Sequence, residues 1–274
     1  NNKSKVWKGG TNGDWNNASN WSPVGVPDAT NCVIIPTTPN NSLIGGTNVN
    51  GFGKTLQIIG NGSLTIDPTN TLTITDFVEV RDVTSVFNIE NSGSLIQVNN
   101  VANTGTINMR RNAITNSPLD YVYWSSPVAG FSVNAITPAS TYRYQWNPTT
   151  VTGLASNFGN WFPASGGMTT GRGYIIRGSS GASTFTGVPN NGNINTNITR
   201  STYVGGDYVG PTSTMVTQDD DNWNLLGNPY PSAISADAFL AANSSNLNQF
   251  VKIWAHGIDP TAAIADPFYQ DYVL

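Results

Sequence analysis

The sequence predicts an all-β protein in which an N-terminal β-solenoid, similar to a parallel β-helix, is followed by an aromatic-rich, β-sandwich-like domain. Three observations predict this fold class. Short strands of alternating apolar and polar residues recur through residues 54–109, and aromatic-rich strands replace them after Asp120. The chain is also rich in Asn, Thr, Ser and Gly while only 10% of its residues are charged. That composition favours many short strands joined by tight turns.

Three tryptophans, Trp7, Trp15 and Trp21, stand near the N-terminus, and two interpretations of them stay open. The segment can fold over the open end of the solenoid, where it would cover strand edges that otherwise promote aggregation. Alternatively, flat indole faces in water can stack on sugar rings, which would make Trp7, Trp15 and Trp21 a glycan-binding site. The exposure of the three rings decides between the two, because a sugar platform needs at least two faces in water.

The next element is an apolar run that contains Cys32, the only cysteine of the chain. A single cysteine excludes an intramolecular disulfide and a zinc site built from several cysteines. The residues after it, Val33, Ile34 and Ile35, are all apolar. We therefore expect Cys32 to be buried as a small hydrophobic residue.

A ladder of short triplets follows, and most of them start roughly eight residues apart. In most triplets two apolar residues flank a polar one, which is the pattern of a strand with one buried face, and glycines stand between the strands as turn residues. A β-solenoid fits this spacing because each coil buries its apolar face against the next, while an antiparallel sandwich would show the same alternation and stays open. The triplets are residues 56–58, 64–66, 72–74, 78–80, 87–89, 95–97 and 106–108.

We place the boundary between the two predicted domains after residue 112. The solenoid with its tryptophan-rich cap then covers residues 1–112, and the β-sandwich-like domain covers residues 113–274. The second domain shows the pattern of an internal duplication, because a strand, a proline corner, a phenylalanine and a strand ending in tryptophan occur twice in it. Its aromatic-rich strands are residues 121–124, 142–146, 174–177 and 223–226.

The stretch WNLLGNPYPSAIS, residues 223–235, predicts a strand that ends in a rigid corner. Proline fixes its own φ and pushes the preceding residue towards extended geometry, so Pro229 and Pro231 make the chain turn in one defined direction. Residues Ala236–Ala242 are the one predicted helix, with Ser235 as its N-cap.

A resemblance to a known group of proteins rests on four stretches, namely residues 15–21 with 25–27, residues 119–128, residues 171–177 with 185–192, and residues 223–235. In order and spacing they resemble large secreted, adhesin-like cell-surface proteins of Bacteroidetes-type bacteria that are exported by the type IX secretion system. The resemblance implies an extracellular protein of the cell surface with a role in cell adhesion. Those proteins carry their sorting signal in a separate C-terminal domain, so we expect this chain to be a fragment that is truncated at its C-terminus.

Residues that could carry chemistry are few. Asp219, Asp220 and Asp221 can hold Ca²⁺, a cation that prefers six to eight oxygen ligands, although a solvated acidic turn explains them as well. His256 is the only histidine, and no nucleophile elbow accompanies it, so we expect no catalytic role for it. We expect no cofactor, and Ca²⁺ at the three aspartates is the one metal alternative.

The solenoid region leaves one enzymatic alternative open. Polysaccharide-degrading enzymes use β-helical frames, and a glycosidase places two carboxyl groups about 5–9 Å apart across a cleft. The alternative for each charged residue of this region is a solvent-exposed position on a turn, without a catalytic role. The charged candidates are Asp67, Asp76, Glu79, Arg81, Asp82 and Glu90.

Charge and hydropathy limit the partners. The formal net charge is −4, and only Arg110 and Arg111 are adjacent basic residues, so we expect no nucleic-acid partner, which would require clustered Lys and Arg. No apolar run approaches the ~18 residues that a membrane span needs.

Together these observations predict a non-enzymatic, extracellular module, structural or adhesive, within a larger secreted surface protein or filament. Its polar loops and aromatic patches would face a glycan, another protein or neighbouring copies of itself. Two alternatives stay open. One is a carbohydrate-binding module that uses Trp15 and Trp21, and the other is a β-helix polysaccharide-degrading enzyme.

Overall fold

The computed structural model describes residues 4–115, 118–149, 160–178, 181–200, 208–209, 215–216, 223–248, 250–256 and 269–273. Within these residues the chain is nearly all β-structure, as predicted, with one short α-helix, α1 (Ala236–Ala242), and 3₁₀ turns at Ala18–Asn20 and Val133–Ala135. The strands β1 to β21 are, in order, Ser4–Trp7, Trp21–Ser22, Cys32–Ile35, Ser42–Ile44, Asn50–Gly53, Thr55–Ile58, Ser63–Ile66, Thr71–Ile74, Val78–Val80, Val86–Ile89, Ser94–Gln97, Ile107–Ala113, Tyr121–Trp124, Arg143–Asn147, Asn160–Pro163, Tyr174–Arg177, Gly181–Gly187, Tyr208–Val209, Met215–Val216, Lys252–His256 and Tyr269–Val273.

Strands β3 to β11 wind into three coils of a parallel β-solenoid, and each coil gives one strand to each of three sheets. The first sheet has the order β2-β1-β3-β6-β9, the second β17-β12-β10-β7-β4 and the third β11-β8-β5. Neighbouring coils stack in register, so that Ser63 pairs with Val86 and Thr71 with Ser94, each partner 23 residues away. The predicted solenoid is confirmed, and the antiparallel alternative is wrong for this region because these pairs are parallel.

Alternate residues of each strand fill the interior of the solenoid. Leu56, Leu64 and Leu72 of the second coil have no exposed surface, and the residues between the apolar positions are half-buried on the outer side. Burying one such side chain contributes about 1.5–3 kcal/mol. Because Val33 and Ile35 occupy the inward positions of β3, Cys32 is only half-buried. The expectation of a buried cysteine is wrong.

Buried asparagines hold the turns between strands. Asn70 has no exposed surface; its Oδ1 accepts from the Val49 amide at 2.7 Å and its Nδ2 donates to the Gly46 carbonyl at 3.1 Å. An asparagine side chain can donate and accept at once, so a single residue satisfies both a backbone amide and a backbone carbonyl. These bonds tie the turn of one coil to the turn of the coil beside it.

The later region forms an antiparallel, aromatic-rich sheet of order β13-β16-β14-β15. The strands predicted at residues 121–124, 142–146 and 174–177 correspond to β13, β14 and β16. Residues 223–226 form no strand, because Leu226 alone makes a bridge, to Arg172. The predicted helix is confirmed as α1, and the Ser235 hydroxyl caps it by accepting from the Ala238 amide at 3.2 Å.

Strand β17 connects the later region to the solenoid. It pairs antiparallel with β12 along seven residues, from Ile107 with Gly187 to Ala113 with Gly181. Its Phe185 ring lies 5.7 Å from the Trp124 ring and 4.8 Å from the Phe131 ring, measured between centroids. The second sheet therefore continues into the aromatic core of the later region.

Candidate functional site

The three tryptophans lie in the core at one end of the solenoid. Trp7 is 1% exposed, and Trp15 and Trp21 are 0% exposed. The Trp21 ring packs edge-on against the other two, with centroids 4.9 Å and 4.8 Å apart, and its Nε1 donates to the Trp15 carbonyl at 2.7 Å. The sugar platform considered for Trp7, Trp15 and Trp21 needs faces in water, whereas this packing leaves no indole face for a sugar ring.

The segment that holds these tryptophans covers two strand edges. Strand β2 pairs antiparallel with β1, so that Trp21 lies opposite Trp7. Beside β4, the Leu43 amide donates to the Gly13 carbonyl at 2.7 Å and the Trp15 amide donates to the Leu43 carbonyl at 3.0 Å. These bonds occupy backbone groups that an open edge would offer to another chain.

Three other segments cover the opposite end. Strand β17 covers β12, and Thr104 covers β9 by accepting from the Val80 amide at 2.9 Å and donating to the Val78 carbonyl at 3.1 Å. In the third sheet, the Leu95 amide of β11 donates to the Pro231 carbonyl at 2.8 Å. The proline corner therefore supplies an acceptor to an edge of the solenoid.

Asn190 joins this corner to a second proline corner earlier in the chain. Its Nδ2 donates to the Pro229 carbonyl at 2.9 Å and to the Ser126 carbonyl at 3.2 Å. Its backbone amide donates to the Pro127 carbonyl at 3.0 Å. One side chain thus fixes both corners against each other at the end of the solenoid.

Four of the five candidate carboxylates of the solenoid have structural partners. Asp76 lies 3.9 Å from the Lys54 ammonium, Glu79 lies 3.1 Å from the Arg81 guanidinium, and Glu90 lies 3.3 Å from that of Arg110. The fourth, Asp82, accepts from the Gly60 amide at 2.5 Å. These contacts account for the charges without a reaction.

The environment of Glu79 changes its acidity. Hydrogen bonds from Arg81 and from Gln57 stabilise the ionised carboxylate and lower the pKa of Glu79 below its usual value near 4.5. A general acid needs a raised pKa instead. The geometry at Glu79 therefore fits an ion pair of the outer face.

The remaining predicted site residues are not placed in a site. Asp219, Asp220 and Asp221 lie outside the described residues. His256 is the last residue of β20, opposite Tyr269 of β21. Within the part of the chain that the structure describes, no group of three or more His, Cys, Asp or Glu residues could hold a metal ion.

An open cleft of about 560 Å³ lies where the third coil meets the later region. One wall is formed by the turn at Ser92 and by β12, and the other by β13 and by the proline corner. Its lining includes polar, aromatic and charged side chains: Ser94, Arg111, Tyr123, Trp124, Tyr230 and Ser232. A second, smaller cleft shares Tyr230 and Ser232 with it, but none of the described residues that line that cleft is charged.

Arg111 is the charged group of this cleft. Along β12, Arg110 is exposed and Arg111 is half-buried, because neighbouring residues of a strand point to opposite faces. The Arg111 guanidinium donates to the carbonyls of Glu90 at 3.2 Å, Arg110 at 2.8 Å and Gly93 at 2.8 Å. Burial lowers the pKa of the Arg111 guanidinium, since a charge removed from water loses solvation.

The sequence interpretation did not identify this residue as part of a site. It considered Arg110 and Arg111 together, as a basic pair too small for nucleic acid. If the strand of the last triplet, residues 106–108, is continued to Arg111, its alternation assigns Arg110 and Arg111 to opposite faces, because only one of two neighbouring residues faces the interior. What Arg111 faces depends on residues far away in sequence.

A family model described as Domain of unknown function (DUF8693) matches residues 6–274. No curated protein and no solved structure matches the chain. Of the residues that the structure describes, none belongs to a helix long and apolar enough to cross a membrane.

Proposed function

This chain belongs to the family described as Domain of unknown function (DUF8693), and we propose that it is a stiff, non-enzymatic module of a larger secreted cell-surface protein. The module holds polar loops and aromatic patches against a glycan or protein surface. The observation that carries the proposal is the covered solenoid, in which other segments of the same chain occupy the outer strand edges of the first and second sheets.

Side-chain contacts between coils support a stiff module. On the outer faces, Gln57 donates to Glu79 at 2.5 Å and Asn108 donates to Asn88 at 3.1 Å. The Thr186 hydroxyl extends this row by donating to Asn108 at 2.9 Å. Because a coil contacts only its neighbours, such rows add resistance to bending between coils.

The covered ends favour a discrete module over a filament built end to end. An uncovered strand edge recruits another chain through its free amides and carbonyls. Here β2 occupies the edge of β1, and β17 occupies the edge of β12. Self-association of this chain would therefore need surfaces other than these edges.

Two further observations support an extracellular, non-enzymatic role. The four stretches that resemble type IX-exported surface proteins include both proline corners, and these corners are joined by Asn190. Four of the five candidate carboxylates of the solenoid are held by neighbouring cations or amides. A polysaccharide-degrading enzyme would need two of them free to face each other across a groove.

The proposal is tested on cells and on the purified chain. An antibody against the chain should label intact, unpermeabilised cells of the source organism, and external protease should remove the signal. Beads coated with the folded chain should adhere to a polysaccharide surface more than beads coated with the heat-unfolded chain, without release of reducing ends. Labelling only after permeabilisation, or steady release of oligosaccharides, would overturn the proposal.

A further inference from the structure

We propose that the cleft beside Arg111 binds a carboxylate-bearing sugar, such as a uronic acid residue of an acidic polysaccharide. This rests on the proposed function and names the class of glycan that the module would hold. The cleft lies between the third coil and the proline corner, and it is lined by described residues of both.

The first step is the unused hydrogen-bonding capacity of Arg111. A guanidinium has five N–H groups, and the bonds to the carbonyls of Glu90, Arg110 and Gly93 use three of them. The Nε–H and the second Nη2–H make no hydrogen bond to any residue that the structure describes. A carboxylate accepts two N–H groups of one arginine at once.

The second step is the charge. Arg110, the neighbouring residue, pairs with the Glu90 carboxylate at 3.3 Å and is half exposed to water. Arg111 faces the cleft with carbonyl partners only, and none of the described residues places a carboxylate within ion-pair distance of it. A carbonyl accepts a hydrogen bond but does not neutralise the positive charge. A bound carboxylate would supply the missing negative charge at this half-buried guanidinium.

The third step is the rest of the lining, which suits a sugar ring. Tyr123 and Tyr230 are half-buried beside the cleft, and the Tyr230 hydroxyl is fixed by a 2.7 Å bond to the Gly192 carbonyl. Aromatic faces pack against the C–H face of a sugar, while Ser94 and Ser232 offer hydroxyls to it. The volume of about 560 Å³ lies within the range of about 300–1,000 Å³ found for ligand sites.

An acidic peptide fits this cleft less well. Extended peptides bind by adding a strand to a free sheet edge. The edge of β11 beside the cleft is already used, because the Leu95 amide donates to the Pro231 carbonyl. A compact ligand with one carboxylate makes full use of Arg111 without displacing that bond.

The test is a calorimetric titration of the purified chain with an oligomer of galacturonic acid. The fully methyl-esterified oligomer is the matched ligand without charge, and we expect it to bind at least about tenfold more weakly, since the two charge-assisted bonds are lost. Arg111→Gln should abolish binding of the acid. Arg110→Gln removes the same charge from the preceding residue of the strand, which lies on the other face, and should leave binding unchanged.

A second pair of variants guards against a folding defect, because Arg111 also holds the turn at Gly93. Ala233 is exposed and lines the cleft, so its substitution leaves the core intact. Ala233→Asp should weaken binding of the acid several-fold and Ala233→Lys should strengthen it, because a charge at the cleft acts on the ligand in opposite directions.

The proposal is overturned if acid and ester bind equally, if the two Ala233 variants bind alike, or if a glutamate peptide binds while the sugar does not. A titration without heat for any ligand also overturns it. That result leaves the surface module standing, because cell labelling and bead adhesion test the module without reference to this cleft.

Discussion

Replacing Trp21 by alanine tests whether the tryptophan cluster is a structural cap. The indole has no exposed surface, contacts Trp7 and Trp15 edge-on, and donates to the Trp15 carbonyl. Emptying such a buried site costs about 3–5 kcal/mol, and the carbonyl that loses its donor adds about 1 kcal/mol. We expect Trp21→Ala to lower the free energy of unfolding by about 4–6 kcal/mol in total.

The assay is urea unfolding followed by far-ultraviolet circular dichroism. Trp21→Phe keeps most of the buried area but loses the hydrogen bond and part of the ring, and we expect a loss of about 1–2 kcal/mol for it. Phe52→Ala is the control, since Phe52 is 42% exposed on β5, and a loss of about 1 kcal/mol or less is expected. If Trp21→Ala unfolds like the unmodified chain but no longer adheres to polysaccharide, the cluster is a sugar platform and the cap interpretation fails.

Three further changes probe the contacts between coils and corners. Gly62→Ala places a Cβ against a backbone carbonyl oxygen of the first coil, whereas Gly10→Ala meets nothing within 4 Å. In thermal unfolding we expect the first variant to lose about 1–3 kcal/mol of stability and the second to match the unmodified chain. Equal melting temperatures for the two variants would refute the close approach at Gly62. Asn190→Ala removes two side-chain hydrogen bonds and should speed amide exchange at Leu95, whose acceptor lies in the proline corner that Asn190 holds. Unchanged exchange would show that the proline corner keeps its position without Asn190. The pKa of Glu79 is lowered in the folded state, so its contribution to stability is present above pH 4.5 and is lost as the pH falls through the lower folded value. Glu79→Gln should therefore reduce the acid-induced loss of stability in urea titrations. An unchanged dependence of the free energy of unfolding on pH would contradict this.

The two ends of the solenoid show how the chain avoids open strand edges. At the N-terminal end the covering residues are close in sequence, as Trp21 lies opposite Trp7. At the other end they come from far away, because the Pro231 carbonyl serves the Leu95 amide. A fragment that stopped after the third coil would leave that amide without this acceptor. The solenoid and the later region thus depend on each other for a closed surface.

The strands of the second and third coils, β6 to β11, could be predicted from the sequence, whereas β4 and β5 of the first coil were not among the predicted triplets. In triplets such as residues 64–66 and 72–74, the period of two places each apolar residue on the same face, and the structure buries these residues. The helix α1 was predictable for the same kind of reason, since Ser235 caps it through a neighbouring amide. Burial along one strand and capping of one turn are both local, so nearby residues determine them.

The candidate site could not be predicted in this way. Arg111 acquires its role from a wall that contains Tyr230, and Asn190 acquires its role from two corners on either side of it in the chain. Residues 223–226 have the pattern of a strand, yet the structure gives them one isolated bridge, between Leu226 and Arg172, instead of a strand. Sequence alone determined which residues form the second and third coils, because that depends on alternation within a few positions. Tertiary structure decided what lies against the coils, because strand edges, buried charges and clefts are completed by residues that only folding brings together.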